Sequence, residues 1–459
     1  ALTRSRPALG QTTAPVTVRV TVSPDKPLGR IPADFIGLGY EISSVAEAGL
    51  LGGKNAKYVQ LVRTLGPAGV IRIGGDTSDY ASYVADGAPS DARRATIVNR
   101  SVLDDLGAFL RATGWKLMWG LNLGRGTAEQ AAAEARAVAE AVGDRLLAIE
   151  IGNEPDLFPG RCRPRGYGYA DFLGDYRRFK AALRERLPHV PLAGPDAAVH
   201  TDWVERFAAD EGADLKLLTH HHYSQGPPEN PKTTIENLLA GPAKLPDTLA
   251  RLRKVAAAAR LPYRFCEMNS CFHGGKPSVS DTFASALWVL DIMLTMAWQD
   301  CAGVNIETGI NQLGFVSPYS PIYSDNKGSL TARPIYYGML AFARGAVGTK
   351  LHVETDAGDL NVKAYATRGE AGRTRVILVN KELRHGVDLR IEVGEATATK
   401  GSALRLAAPA VDGTLGVTFG GNEVTAAGTW KPAITETISV REGRVAIRLR
   451  AASAAVVEI

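Results

Sequence analysis

Between residues 35 and 307 short apolar runs alternate with longer helix-forming segments, and this alternation restricts the fold more than any other feature of the chain. The runs are Phe35–Ile42, Val70–Ile73, Lys116–Asn122, Leu146–Ile151, Leu192–Pro195, Leu215–His221, Tyr263–Glu267 and Val304–Glu307. Most are apolar at nearly every position, the pattern of strands covered on both faces. Ala128–Val142 and Tyr169–Leu187, rich in Ala, Leu, Arg and Glu, are strong helix formers between them. Strands that alternate with helices make an α/β fold with a parallel sheet, and eight strands close naturally into a (β/α)8 barrel. After about residue 345 the pattern changes to strand-like runs without long helices, at 376–379, 387–391, 440–449 and 455–459, which predicts a C-terminal antiparallel β-sandwich. The run Val16–Val22 has period two and precedes the first barrel strand; a closed barrel has no edge to receive it, so it is expected to join the sandwich. The predicted organisation is an N-terminal strand segment over 1–28, the barrel over 29–344 and the sandwich over 345–459.

Composition excludes several classes of function. With 459 residues, 45% of them hydrophobic and 22% charged, the chain is long enough for a large domain and a smaller one. The net charge of +5 is scattered, which suits solubility; a polyanionic substrate is the alternative, and no nucleic-acid partner is expected. No apolar run approaches the ~20 residues of a membrane span, so no membrane partner is expected either, and the chain reads as a monomer. It begins at Ala1 and continues through a polar stretch at 3–7, the pattern of a mature terminus after signal removal; a secreted or periplasmic location is the expectation. Cys162, Cys266, Cys271 and Cys301 lack metal-ligand spacing. Cys266 and Cys301 read as buried thiols, whereas Cys162 and Cys271 fall in loops on the same face and form a candidate disulfide.

In a barrel of this kind chemistry sits at the C-terminal ends of the strands. Polar residues cluster there: Tyr40-Glu41, Arg72 with Gly74-Gly75-Asp76, Asn122, Asn153-Glu154, Asp196, His220 to Tyr223, and Glu267. Pro155 cannot donate to a sheet ladder, so Asn153 and Glu154 stand where the fourth strand stops. The seventh strand delivers Glu267 and then breaks up in Met268-Asn269-Ser270. Two carboxylates at the ends of two strands suit glycoside hydrolysis, in which one carboxyl protonates a leaving oxygen and the other attacks the sugar or activates water. Glu150, of the same strand parity as Glu154, and Glu307 are competing carboxylates, Glu150 being equally readable as the buried partner of a cation. The run His220-His221-His222 invites a metal, but adjacent strand residues point to opposite faces and no further ligands stand out. No metal or cofactor is expected.

The segments Phe35 to Glu41, Arg72-Ile73-Gly74-Gly75-Asp76, Gly120-Leu121-Asn122, Gly152-Asn153-Glu154-Pro155, Gly194-Pro195-Asp196, His221-His222-Tyr223, and Glu267 followed by Gly274-Gly275 together resemble glycoside hydrolase family 79, the β-glucuronidase and heparanase family, and suggest a bacterial member. The resemblance implies a retaining mechanism with Glu154 as acid/base and Glu267 as nucleophile, Arg72 and Tyr223 as donors to Glu267, and Asn153 on the sugar 2-hydroxyl. It places Glu41 at the glucuronic ring, and backbone N–H groups of Gly274 and Gly275 with a tyrosine, Tyr319 or Tyr323, at the uronate carboxylate. Phe272 is a further candidate wall of the pocket. His221 is expected to bond sugar or catalytic carboxylates. Arg161, Arg163 and Arg165, beside the acid/base strand, suit the anionic groups of a glycosaminoglycan, unless they form only a solvated loop. The expected substrate is therefore a glucuronide or heparan sulfate. A non-catalytic carbohydrate-binding barrel and a hydrolase of neutral β-glycosides are the alternatives.

Overall fold

The computed structural model of the chain describes residues 16–84, 96–310, 314–325, 328–394 and 398–459; the N-terminal stretch 3–7, expected to be a processed terminus, lies outside them. All eight expected strands form and close a parallel barrel. They are Ile36–Glu41, Val70–Gly74, Lys116–Leu121, Leu146–Ile151, Leu192–Ala197, Leu215–Gln225, Tyr263–Cys271 and Gly303–Glu307, here barrel strands one to eight. Strand eight returns to strand one with Ile306 opposite Leu38. These runs are apolar at nearly every position because alternate side chains fill the barrel and contact the surrounding helices, leaving no face for water. Helix Ala128–Val142 starts where predicted, with Thr127 and Gln130 forming a reciprocal capping box.

Strand seven departs from expectation. It continues beyond Glu267 to Cys271, every residue buried. Asn269 and Ser270 tolerate this because tertiary partners satisfy them: the Asn269 amide donates to the carbonyls of Glu307 (2.8 Å) and Tyr319 (3.2 Å), and the Ser270 hydroxyl meets that of Ser280 at 2.9 Å. The strand also carries a β-bulge. Phe265 pairs with His220, but Glu267 rather than Cys266 pairs with His221. The extra residue turns Glu267 onto the same face as His221, the kind of re-aiming that bulges perform beside active sites.

The strands after residue 345 belong to one continuous ten-stranded sheet, curled around its own apolar core. The N-terminal strand Val16–Arg30 joins it as expected, antiparallel to Thr349–Asp356 but parallel to Val387–Glu392, so the sheet is not antiparallel throughout. Strand Thr374–Asn380 explains the unbroken apolar run at 376–379: Val376 and Leu378 enter the sheet's own core, while Ile377 and Val379 pack into the barrel's. The same boundary buries Asp291, which accepts from Lys381 at 2.6 Å and Lys363 at 3.0 Å. No helix among the described residues is long and apolar enough to cross a membrane.

Candidate active site

Arg72 organises the mouth of the barrel. It rises from strand two with no exposed surface, and its guanidinium donates to Glu267 (2.6 Å), Asp196 (2.7 Å), Asn153 (2.8 Å) and Glu150 (3.2 Å). These partners come from strands four, five and seven and from the turn after strand four, so one planar fork fixes carboxylates from three strands. The following Gly74-Gly75 pair makes room for it. A Cβ on Gly74 would lie 2.5 Å from the Arg72 guanidinium carbon, and one on Gly75, whose φ is +73°, would lie 2.4 Å from the Glu41 carboxyl. Both glycines are therefore needed for space, and Gly75 also for its left-handed backbone.

Glu154 lies just past strand four with φ +50° and ψ +52°, a left-handed conformation that costs a non-glycine residue about 1–3 kcal/mol. Its N–H donates to the Asp196 carbonyl (3.0 Å) and its carbonyl accepts from Leu157 (2.8 Å), which hold the turn. Its carboxylate meets Nδ1 of His221 at 2.9 Å, and Nε2 of the same ring meets Asp196 at 2.7 Å. Burial opposes charge on His221, but Asp196 and Glu267 outweigh it and hold the imidazole protonated well above its ordinary range. Both ring nitrogens then donate. Burial, with the Glu267 charge adding to it, raises the Glu154 carboxyl above the usual carboxylate range against the pull of His221. Burial also opposes ionisation of Asp196, yet Arg72 and His221 keep it ionised. Glu267 accepts from Arg72 and, at 2.8 Å, from the Tyr223 hydroxyl, so both of its oxygens are held by donors.

These groups open into a cavity of about 610 Å³ whose lining includes Glu41, Glu154, His221, Tyr223, Glu267, Gly274, Tyr319 and Arg161. Glu41 accepts from the N–H (2.8 Å) and hydroxyl (2.5 Å) of Thr77, and burial beside Glu267 pushes its carboxyl up to about 7. Asn153 sits between Arg72 and Asp76. Gly274 and Gly275 both have positive φ; Gly274 lines the cavity, Gly275 lies behind it against Tyr319 and Ser280, and neither N–H donates to a protein acceptor among the described residues. Of the two tyrosines left open by the sequence, Tyr319 lines the cavity, whereas Tyr323 lies outside it under the Arg333 guanidinium.

Several expectations are corrected. The three arginines do not act together: Arg161 reaches the cavity and pairs with Asp76 (2.9 Å). Arg163 turns inward to the Gly124 and Leu123 carbonyls and to Asp175, while Arg165 is exposed and lines no part of the cavity. Cys162 and Cys271 are both free thiols, since Cys162 faces the Tyr80 hydroxyl and Cys271 is buried in the extended strand seven. Glu150 is the buried partner of Arg72 and lies outside the cavity lining. Glu307 is buried with both carboxylate oxygens unpartnered, and burial raises it far above the usual range. His220 and His222 are neutral, lowered by burial to about 4 and about 3. Ligand atoms of Asp196, His221 and Cys266, and of Glu154, His221 and Glu267, lie within 4.8 Å of one another, close enough to hold a metal, but Arg72 and the protonated His221 already occupy those carboxylates. The role of Asp196 was missed in the sequence, although Gly194-Pro195-Asp196 marked its position at a strand end.

The buried ring predicts a large effect of changing its cation. Arg72→Met leaves Glu150, Asp196 and Glu267 without their shared donor and is expected to cost about 3–5 kcal/mol of stability, as breaking buried ion pairs does. Urea unfolding checks this. Arg72→Lys, which keeps the charge but loses the fork, is expected to fall between.

A closed parallel barrel with two facing carboxylates and an arginine at its C-terminal mouth is the arrangement that glycoside hydrolases of the barrel class use. Residues 364–456 match the glycosyl hydrolase family 79 C-terminal beta domain. The chain is 26% identical over 357 residues to a β-glucuronidase of Aspergillus niger (68% of this chain, 63% of that protein) and 24% identical over 426 residues to a β-glucuronidase of Neurospora crassa (79% and 74%). The chain thus matches somewhat under two thirds of the Aspergillus protein's length. In fold it superposes on the crystal structure of a 4-O-α-L-rhamnosyl-β-D-glucuronidase from Fusarium oxysporum with a TM-score of 0.78, at 18% identity, covering 97% of this chain and 100% of that one. Through this C-terminal domain and these relatives the chain is similar to glycoside hydrolase family 79. These relatives are fungal and give no support to the expectation of a bacterial member.

Proposed function

We propose that the protein is a retaining β-glucuronidase, with Glu154 as general acid/base and Glu267 as nucleophile. The observation that carries this reading is the spacing of the pair: carboxylate oxygens of Glu154 and Glu267 approach within 4.8 Å. Retaining enzymes hold their carboxyls about 5–5.5 Å apart, and inverting ones leave about 6.5–9.5 Å for a water. In the first step Glu154 gives its proton to the glycosidic oxygen while Glu267, ionised and held by Arg72 and Tyr223, bonds to the anomeric carbon. Glu154 then takes a proton from water, which displaces Glu267 and restores both groups. His221 holds Glu154 in place through Nδ1 while anchored on Asp196.

Specificity for the uronate rests on the far side of the cavity. The N–H groups after strand seven and the Tyr319 hydroxyl suit a carboxylate, and Glu41, neutral below about 7, adds no repulsion there. The test is hydrolysis of 4-nitrophenyl β-glucuronide beside the matching glucoside. The glucuronide is expected to react at least about 100-fold faster in kcat/KM, since a site built for hydrogen bonds discriminates strongly against an analogue that lacks the partner. Equal rates overturn the uronate reading, and no turnover of either compound favours a binding barrel.

A further inference from the structure

The acid/base side of the cavity differs in character from the rest. Strands four and five lie opposite strands eight and one in the barrel, so residues following them face the group that leaves when Glu154 gives up its proton. Leu157 closes the same short turn as Glu154, and Ala198 and Val199 lie on the loop after strand five; all three line the cavity. That loop is held firmly. The Asp156 carboxylate accepts from the backbone N–H groups of Ala198 (2.9 Å), Val199 (2.8 Å) and His200 (3.0 Å). Val199 is nonetheless 66% exposed, an apolar side chain fixed bare at the mouth of the site. Asp156 is engaged by the loop it ties, and Arg161, the arginine that lines the cavity, by Asp76.

We propose that Leu157, Ala198 and Val199 form an apolar leaving-group site, and that the substrates are β-glucuronides of aryl or comparably apolar alcohols. This rests on the glucuronidase reading and narrows it. A sulfated sugar in the same position finds apolar side chains and one arginine, Arg161, already paired with Asp76, whereas an aromatic ring buries apolar surface against these residues. Val199 determines specificity without touching the reacting atoms.

The experiment compares wild type with Val199→Asp on 4-methylumbelliferyl β-glucuronide, on β-glucuronyl fluoride, which has almost no leaving-group bulk, and on a sulfated oligosaccharide ending in β-glucuronate. Val199 is exposed, so the variant is expected to fold as wild type does. On the umbelliferyl compound the variant is expected to lose about tenfold in kcat/KM through KM, the scale of a lost contact in an apolar pocket, while the fluoride is unaffected. The wild type should prefer the umbelliferyl compound to the oligosaccharide. Equal effects on the umbelliferyl compound and the fluoride, no effect on either, or a wild-type preference for the sulfated chain overturns the proposal. No wild-type turnover of the umbelliferyl compound or the fluoride overturns the glucuronidase reading, and this proposal with it.

Discussion

Glu267→Gln is expected to lower kcat on 4-nitrophenyl β-glucuronide by at least about 10⁴-fold, the scale of removing a nucleophile, while leaving the fold and ligand affinity nearly intact. The substitution keeps the shape and removes only the attacking charge. The amide oxygen can still accept from Arg72, and the amide N–H can donate to the Tyr223 hydroxyl oxygen, so both contacts of the carboxylate survive in altered form. Stability and inhibitor binding are measured alongside the rate. A folded variant that kept more than a few per cent of the wild-type rate would remove Glu267 from the mechanism.

Glu154→Ala is expected to divide substrates by leaving group. Alkyl and sugar glucuronides, which need a proton, should slow by about 10²–10⁴-fold. An activated aryl glucuronide should still react in the first step and accumulate the glucuronyl-enzyme. Azide, small enough for the space left by the side chain, should restore turnover and give the β-azide; an α-azide would show that the two carboxylates are exchanged. The pH profile carries the same information. Glu154 acts as an acid only while protonated, and burial raises its carboxyl, so wild-type kcat/KM on a poor leaving group is full on the acid side of that raised value and falls as pH rises through it. With an activated aryl substrate and the alanine variant, that alkaline limb should disappear.

The barrel was legible because its strands are buried on both faces, so continuous apolar runs marked them. The helix 128–142 carried its own start signal in Thr127 and Gln130. The positions of the two carboxylates proposed to react could also be read from the sequence: Pro155 lies in the turn just past the end of strand four, beside Glu154. The extension of strand seven was not, because Asn269 and Ser270 look like the start of a loop until their partners, the Glu307 and Tyr319 carbonyls and Ser280, are brought up from distant sequence. The bulge that aims Glu267 likewise has no local signature.

Arginine 163 shows the same limit at the surface. Three arginines in five residues resemble an anion site, yet Arg163 is consumed by carbonyls from the loop after strand three, a tertiary contact invisible in the segment itself. Asp196 acts through Arg72 and His221, and only the closed barrel brings strands two, five and six into that relation. Val199 carried no signal because one valine after a strand is unremarkable until its exposure and its tie to Asp156 are seen together.

The claim that Glu267 carries the sugar covalently is tested most directly by trapping. Treatment with 2-deoxy-2-fluoro-β-glucuronyl fluoride, whose fluorine slows release of the intermediate more than its formation, should inactivate the enzyme and add one fluoroglucuronyl group to the protein. Peptide mass spectrometry should place that group on Glu267. An intact, unlabelled protein after full exposure, or a label on Glu154, Glu41 or any other residue, would contradict the account.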